Sequence, residues 1–456
     1  MKLLHQVFFG RLALCLAGFL WGMLSVYSRV AWGWENHALL TYQAFSQERA
    51  FEQYLEVRAE SLDSFIKKEI RGLARLLLQE EQWARANVKT YPARPSELEL
   101  TESCPEQKLR DCFLKALRVN PHSKLEPFIQ LLPGANRTGL RQIPAQSVTL
   151  LSHSFKSTDE RFFELRVGQR VLPIQVLATA SDEPDYGLDL GLWEDNSTEF
   201  GRHYGMGHQP FGNPVLEFSG QAPFHMSFFH EPKLAYFIAG YLNRTYPEYR
   251  IHLFSALSRY AFQSHHPYWG YRFAGWALHY IQDLTQPYHS TAMPGASFFK
   301  TLVLGVLDQV GVHRPLKNGI QLLTNEHLAL ENFQYHSLYE AHMKRDGMDP
   351  LMSALVDVRG DQAYPAYSDR YPKEILTKEA HHFAGKTHDE LRRYFPKHLI
   401  QDPQYLFGTT EPEINLLELM RTQGLEHELQ AMRRVLADLM RHSGSHSRRF
   451  IEGVLR

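Results

Sequence analysis

Cysteine is scarce in this chain: three in 456 residues. That excludes a disulfide-dense scaffold, and the two cysteines beyond the N-terminal apolar run leave room for one bridge. Charge of one sign is also lacking. Formal net charge is −1, so no global field favours nucleic acid or an anionic membrane. Segments alternating apolar and polar residues are few, no fixed-period repeat is evident, and nothing suggests a β-sandwich. What is present is a normal apolar share, 44%, enough for a sizeable core, and 24 histidines. Abundant imidazole suits metal binding, zinc above all.

The N-terminus reads as an export signal. Lys2 and Arg11 precede an apolar run from Leu12 to Val26, short for a membrane span, with an uncleaved anchor as the alternative. Ala31 suits the residue before a cleavage point, whereas Arg29 is a poor residue two positions earlier. The expected division is a signal peptide over 1–31, a catalytic domain over 32–344 and a helical C-terminal extension over 345–456 packed on it. Secretion or a periplasmic location follows. Cys15 leaves with the signal, and Cys104 and Cys112 are expected to form a local disulfide.

The expected fold class is all-α. Helical periodicity marks 36–48, 60–88, 107–118, 232–245, 250–263, 270–285, 319–343, 372–395 and 414–441. One alternating stretch, 161–178, reads as a hairpin. Residues 180–224 and 286–296 read as long loops, which in compact domains tend to rim functional sites.

Chemistry concentrates in His279-Tyr-Ile-Gln-Asp283-Leu-Thr-Gln-Pro287-Tyr-His289. His279 and Asp283 are four apart and share a helix face. Pro287 ends that helix, and a turn can return His289 to the same cavity. His327 and Glu331 form a second four-residue pair, and helical bundles build metal sites from such facing pairs. Trp32 would offer an amine and a carbonyl near His37 if cleavage follows Ala31. Asp182, Asp185 and Asp189 lie in the acidic loop. His225 sits between apolar residues.

In these motifs the chain resembles the zinc-dependent phospholipase C and P1/S1 nuclease superfamily, and is most similar to secreted bacterial zinc phospholipases C. The resemblance covers roughly 32–340. It implies a helical bundle with long active-site loops and three zinc ions. Asp185, His225, His279 and Asp283 would serve one ion; His289, His327 and Glu331 the second; Trp32, His37 and a shared Asp283 the third. Asp185 would also orient or deprotonate water. His230, His203 and His208 are rivals to His225, in that order. Glu35 or Tyr280 would orient ligands.

The resemblance further implies hydrolysis of a glycerophospholipid, with phosphatidylcholine foremost, by a monomer at a membrane or micelle surface. The products would be diacylglycerol and a phosphorylated headgroup, and no nucleic-acid partner is expected. The alternatives are a zinc nuclease of the same fold, compatible with the Gln286-Pro287 pair, and a non-catalytic helical protein that stores or senses metal. The long gap between His289 and His327 implies an insertion at 290–320. Its apolar segment from Ser297 reads as a buried helix, with a lid or membrane-touching element as the rival. The asparagine that often follows the last signature histidine is absent.

Overall fold

The computed structural model describes residues 36–46, 56–151, 161–213, 216–295, 311–344, 348–408, 411 and 414–455. Trp32, Glu35, the proposed signal and the apolar segment after Ser297 lie outside them. The described residues are predominantly helical, so the class is all-α. Helices of seven or more residues are α1 (His37–Ala44), α2 (Leu62–Asn87), α3 (Leu109–Leu117), α4 (Pro173–Asp182), α5 (Pro247–Gln263), α6 (Pro267–Thr285), α7 (Arg314–Lys344), α8 (Thr377–Tyr394), α9 (Leu416–Thr422) and α10 (Glu426–Leu455). Among the described residues, no helix is long and apolar enough to cross a membrane.

Local sequence explains most boundaries. The Ser61 hydroxyl accepts the Ser64 amide at 3.2 Å and starts α2, whose buried stripe is Leu62, Phe65, Ile66, Leu73 and Leu77. Proline at the first position starts α4, α5 and α6, where its missing N–H costs nothing. The region 414–441 is two helices, α9 and α10, broken at Gly424, whose φ of +71° suits glycine.

The hairpin expected at 161–178 does not form. Its two strands, β3 (Phe162–Glu164) and β4 (Arg170–Val171), pair instead with β2 (Phe128–Gln130) and β1 (Val57–Arg58), both antiparallel. The rest of the stretch is α4. Pro173 presets the first helical turn, and burial of Val176, Leu177 and Ala180 against α6 outweighs the alternation. Helix α4 continues to Asp182, and a 3-10 turn, Glu183–Tyr186, occupies what the sequence suggests is loop.

Helix α6 is the axis. Every residue from Tyr268 to Thr285 is buried, and the helix packs against α5, α4 and α10. A helix enclosed all round is ordinarily apolar all round. This one carries Arg272, His279, Gln282 and Asp283 inward, each with a partner. Helix α10 reaches the same centre: Ser447 accepts from Gln282 at 3.3 Å, and Arg448 donates to the Ala44 carbonyl ending α1 at 3.1 Å. Cys104 and Cys112 are joined, as expected, and tie the loop after Thr101 to α3.

The approach of α6 to α4 needs glycine. A Cβ on Gly275 would lie 2.5 Å from Ala180 Cβ and 2.7 Å from the Leu177 carbonyl oxygen. Gly275→Leu should therefore lower stability by at least about 1–3 kcal/mol, read as a fall in the urea midpoint. Gly385, mid-helix in α8 with open space around its missing Cβ, supplies the control. Gly385→Ala should raise the same midpoint by about 0.5–1 kcal/mol.

Candidate metal centre

Five separate elements deliver side chains to the C-terminal half of α6. Helix α1 brings His37 on its first turn. The helix starts at Asn36, in the left-handed region at φ 73°, whose side chain accepts the Leu39 amide at 3.3 Å. It is pinned by Ala38 N–H to Asp182 at 3.0 Å and by Thr41 to Ser181 at 2.9 Å. The turn after α4 brings Asp185, held beneath by Glu183, which accepts from Arg272 at 2.9 Å and Trp276 at 2.7 Å. The short helix Ala222–His225 brings His225, and Pro287–Ser290 brings His289. Helix α7 brings His327 and Glu331.

Three groups of ligand-type atoms result, each with all its atoms within 4.8 Å of one another: His37, His279 and Asp283; Asp185, His225 and His279; His289, His327 and Glu331. Of the nine residues expected at the site, eight lie in these groups, and Trp32 is outside the described residues. Asp283 lies between the groups. It stands 3.4 Å from His37 Nε2, 3.2 Å from His279 Nε2, 2.8 Å from His225 Nδ1 and 3.8 Å from His289 Nδ1. His289 and His327 face each other through Nε2 atoms at 3.0 Å, and Glu331 lies 2.5 Å from His327 Nε2.

The rivals to His225 are elsewhere. His230 Nε2 lies 3.0 Å from both the Lys373 carbonyl and the Thr377 hydroxyl. His203 is exposed on a short helix, and His208 is exposed beside Asp195.

Four imidazoles are held from behind, leaving the other nitrogen toward the cluster. His37 Nδ1 meets Gln282 Oε1 at 2.8 Å, His279 Nδ1 the Ser181 carbonyl at 2.8 Å, and His289 Nδ1 the His225 carbonyl at 2.9 Å. His225 Nε2 faces Asp189 at 3.6 Å. Asp189 in turn receives Arg250 and Tyr280, both at 2.6 Å and fully buried. A carboxylate or carbonyl behind each imidazole is the arrangement that orients metal ligands. The sequence leaves Asp189 undistinguished among its acidic neighbours, gives no sign of Arg250, and marks Gln286 only as part of the Gln286-Pro287 pair, not as a partner of Glu331. Gln286 donates to Glu331 at 3.0 Å while its oxygen caps the next helix through Tyr288 N–H at 2.6 Å. Tyr280 bonds to Asp189 and is not within the ligand groups.

The cluster suits a cation. His37 Nε2, Asp283 Oδ1 and Glu331 Oε2 are buried without a hydrogen-bond partner, an expensive state that a bound cation relieves. Protonation is divided. Burial pushes the Asp185 carboxyl up to about 7 and that of Glu331 to about 8, and pushes His327 down to about 4. Burial would also lower His225, yet the facing Asp189 carboxylate and the hydrogen bond to Asp283 lift it to about 10. Asp283 stays anionic: burial opposes its charge, and the His279 and His289 imidazoles with hydrogen bonds from His225 and His279 overcome that.

No family model, no curated protein and no solved structure matches the chain.

A cation at His225 or Glu331 must displace the proton each holds at neutral pH. Metal binding at pH 7 should release at least one proton, and affinity should fall as pH is lowered, by up to tenfold per unit per proton. Calorimetric titration in two buffers of different ionisation enthalpy measures this; equal heats in both would refute it. Asp189→Asn should weaken metal binding about ten- to a hundredfold, measured by competition with a chelator.

Proposed function

We propose that this protein is a zinc-dependent phosphodiester hydrolase of the phospholipase C type. It is exported and acts on glycerophospholipids, with phosphatidylcholine as the leading substrate. The observation that carries the proposal is the convergence of His37, Asp185, His225, His279, Asp283, His289, His327 and Glu331 on one buried cluster. They come from five stretches of sequence, around His37, Asp185, His225, His279–His289 and His327–Glu331, that the fold brings together. In the proposal Asp185, His225, His279 and Asp283 hold one ion. His289, His327 and Glu331 hold a second. His37 and Asp283 hold a third with Trp32.

Bound ions would supply positive charge to a phosphoryl group and acidify water near neutral pH. The chain's own residues supply the rest. Asp185 and His327 are the ligand-type side chains that reach the surface most, at 10% and 13% exposure, and so are the ones a diester would meet first. Asp185 takes the proton of the attacking water as oxygen bonds to phosphorus and the bond to the glycerol oxygen breaks. The proton then passes to the departing alkoxide, giving diacylglycerol and a phosphorylated headgroup. His279 and His225, fixed from behind, hold their places without reorganising, which is how a preorganised site favours a charged transition state.

An exposed apolar face supports a lipid over a nucleic acid. Leu234, Phe237 and Tyr241 are exposed on the helix Lys233–Ile238 and the turn after it, Phe237 at 86%. From Pro232 to Pro247 there is no acidic residue, while Lys233 and Arg244 are basic. The segment leading into this face is fixed beside the site: Ser227 N–H donates to the His289 carbonyl at 2.8 Å, and Glu231 accepts the Ala292 amide at 2.8 Å.

Zinc-loaded protein should release phosphocholine from phosphatidylcholine vesicles and cleave a chromogenic phosphodiester. Nucleotides released from single-stranded nucleic acid without phosphocholine from lipid would overturn the lipase reading in favour of a nuclease. Bound zinc with no turnover on any of the three would leave a metal-binding protein. Asp185→Asn should cut kcat by about 10²–10⁴-fold.

A further inference from the structure

The geometry points to His388 and Arg392, both on α8, as positioning residues for the metal ligand His327. The inference rests on the reading that His289, His327 and Glu331 hold an ion, and not on the identity of the substrate.

Among the ligand-type histidines, His327 is the exception. The other four each have their outer nitrogen facing a carbonyl, an amide oxygen or a carboxylate. His327 Nδ1 has no such hydrogen-bond partner among the described residues. Its ring lies instead parallel to that of Tyr288, centroids 5.8 Å apart and planes 6° apart. Whatever fixes the Tyr288 ring therefore fixes the imidazole plane, and with it the direction of Nε2 toward His289 and Glu331.

Tyr288 is held at both ends. Its backbone N–H is capped by Gln286, the residue that also donates to Glu331. Its hydroxyl donates to Glu326 Oε2 at 3.0 Å. Glu326 precedes His327 on α7 and is 1% exposed. A carboxylate so buried needs compensation. It comes from α8: His388 Nδ1 donates to the same oxygen at 2.8 Å, and Arg392 Nη1 to the other at 3.2 Å. The chain of contacts runs from α8 through Glu326 and the Tyr288 hydroxyl to the stacked ring of His327. It gives the C-terminal region a task at the metal centre.

The test uses the full chain loaded with cobalt(II), whose visible spectrum reports ligand geometry, and follows loss of each metal equivalent to a chelator. Tyr288→Phe keeps the ring and removes only the tether, so it should leave the fold intact. His388→Leu removes a donor from the other end. Both should release one equivalent about ten- to a hundredfold faster and alter its spectrum, with the other equivalents unchanged. Arg421→Gln, which breaks an ion pair between α9 and Glu340 of α7 away from this path, is the stability control and should release metal at the wild-type rate. Wild-type release and spectrum in Tyr288→Phe overturn the proposal, even if His388→Leu has an effect. Equal acceleration in Arg421→Gln overturns it too, since lost stability would then explain everything. Wild-type protein that holds no metal sinks the metal reading along with it. Metal held without hydrolysis of any diester removes the proposed activity and leaves this inference standing.

Discussion

Keeping Asp283 ionised in the middle of the protein is the constraint on which the rest of the structure depends. The residue is fully buried on a helix with no solvent-facing side. Removing a carboxylate from water costs several kcal/mol unless opposite charge and donors replace the solvent. Four imidazoles do so, from α1, the turn before Met226, α6 itself and the turn after Pro287. Each imidazole is also fixed by a second contact, to Gln282, Asp189, the Ser181 carbonyl or the His225 carbonyl. Loss of any one leaves a buried charge short of a partner, so the site and the local fold stand or fall together.

The same reasoning explains the polar layer behind the cluster. Asp189 has no solvent and would be neutral if alone; Arg250 overrides burial and keeps it charged. An anionic Asp189 then draws a proton onto His225, whose other nitrogen faces Asp283. Arg250, Asp189, His225 and Asp283 therefore alternate in sign from the core to the centre. Replacing the His225 proton with a divalent cation would preserve that alternation, which is why this arrangement suits metal as well as it suits a proton.

The legible part of the site was the part written on single helices. His279 and Asp283, and His327 and Glu331, are four residues apart, and helical spacing alone stacks each pair. Pro287 marked the helix end where α6 stops at Thr285. Asp185 and His225 were less legible, because they reach the cluster from short turns whose placement depends on the Arg272–Glu183 pair and on packing of Phe224. Arg250 was illegible: a basic residue on an amphipathic helix reads as solvated until the fold turns its side chain inward. Helix α4 was misread for a related reason. Its β-branched residues and the preceding alternation favour strand locally, and only the close face of Gly275 on α6 rewards a helix there.

The C-terminal region shows how far a site extends beyond its ligands. Periodicity alone made 345–456 a helical addition of no stated purpose. In three dimensions its last helix accepts a hydrogen bond from Gln282, the residue that orients His37, through Ser447. Its Thr377–Tyr394 helix faces the turn carrying His289 and supplies the donors that neutralise Glu326. A buried carboxylate beside a candidate ligand would compete for a cation unless other groups satisfied it. His388, Arg392 and Tyr288 satisfy Glu326 fully, so Glu331 one turn later is left as the carboxylate available to His289 and His327. On the proposed reading, the choice of Glu331 over Glu326 as a ligand rests on residues that follow Glu326 in the chain by more than fifty positions.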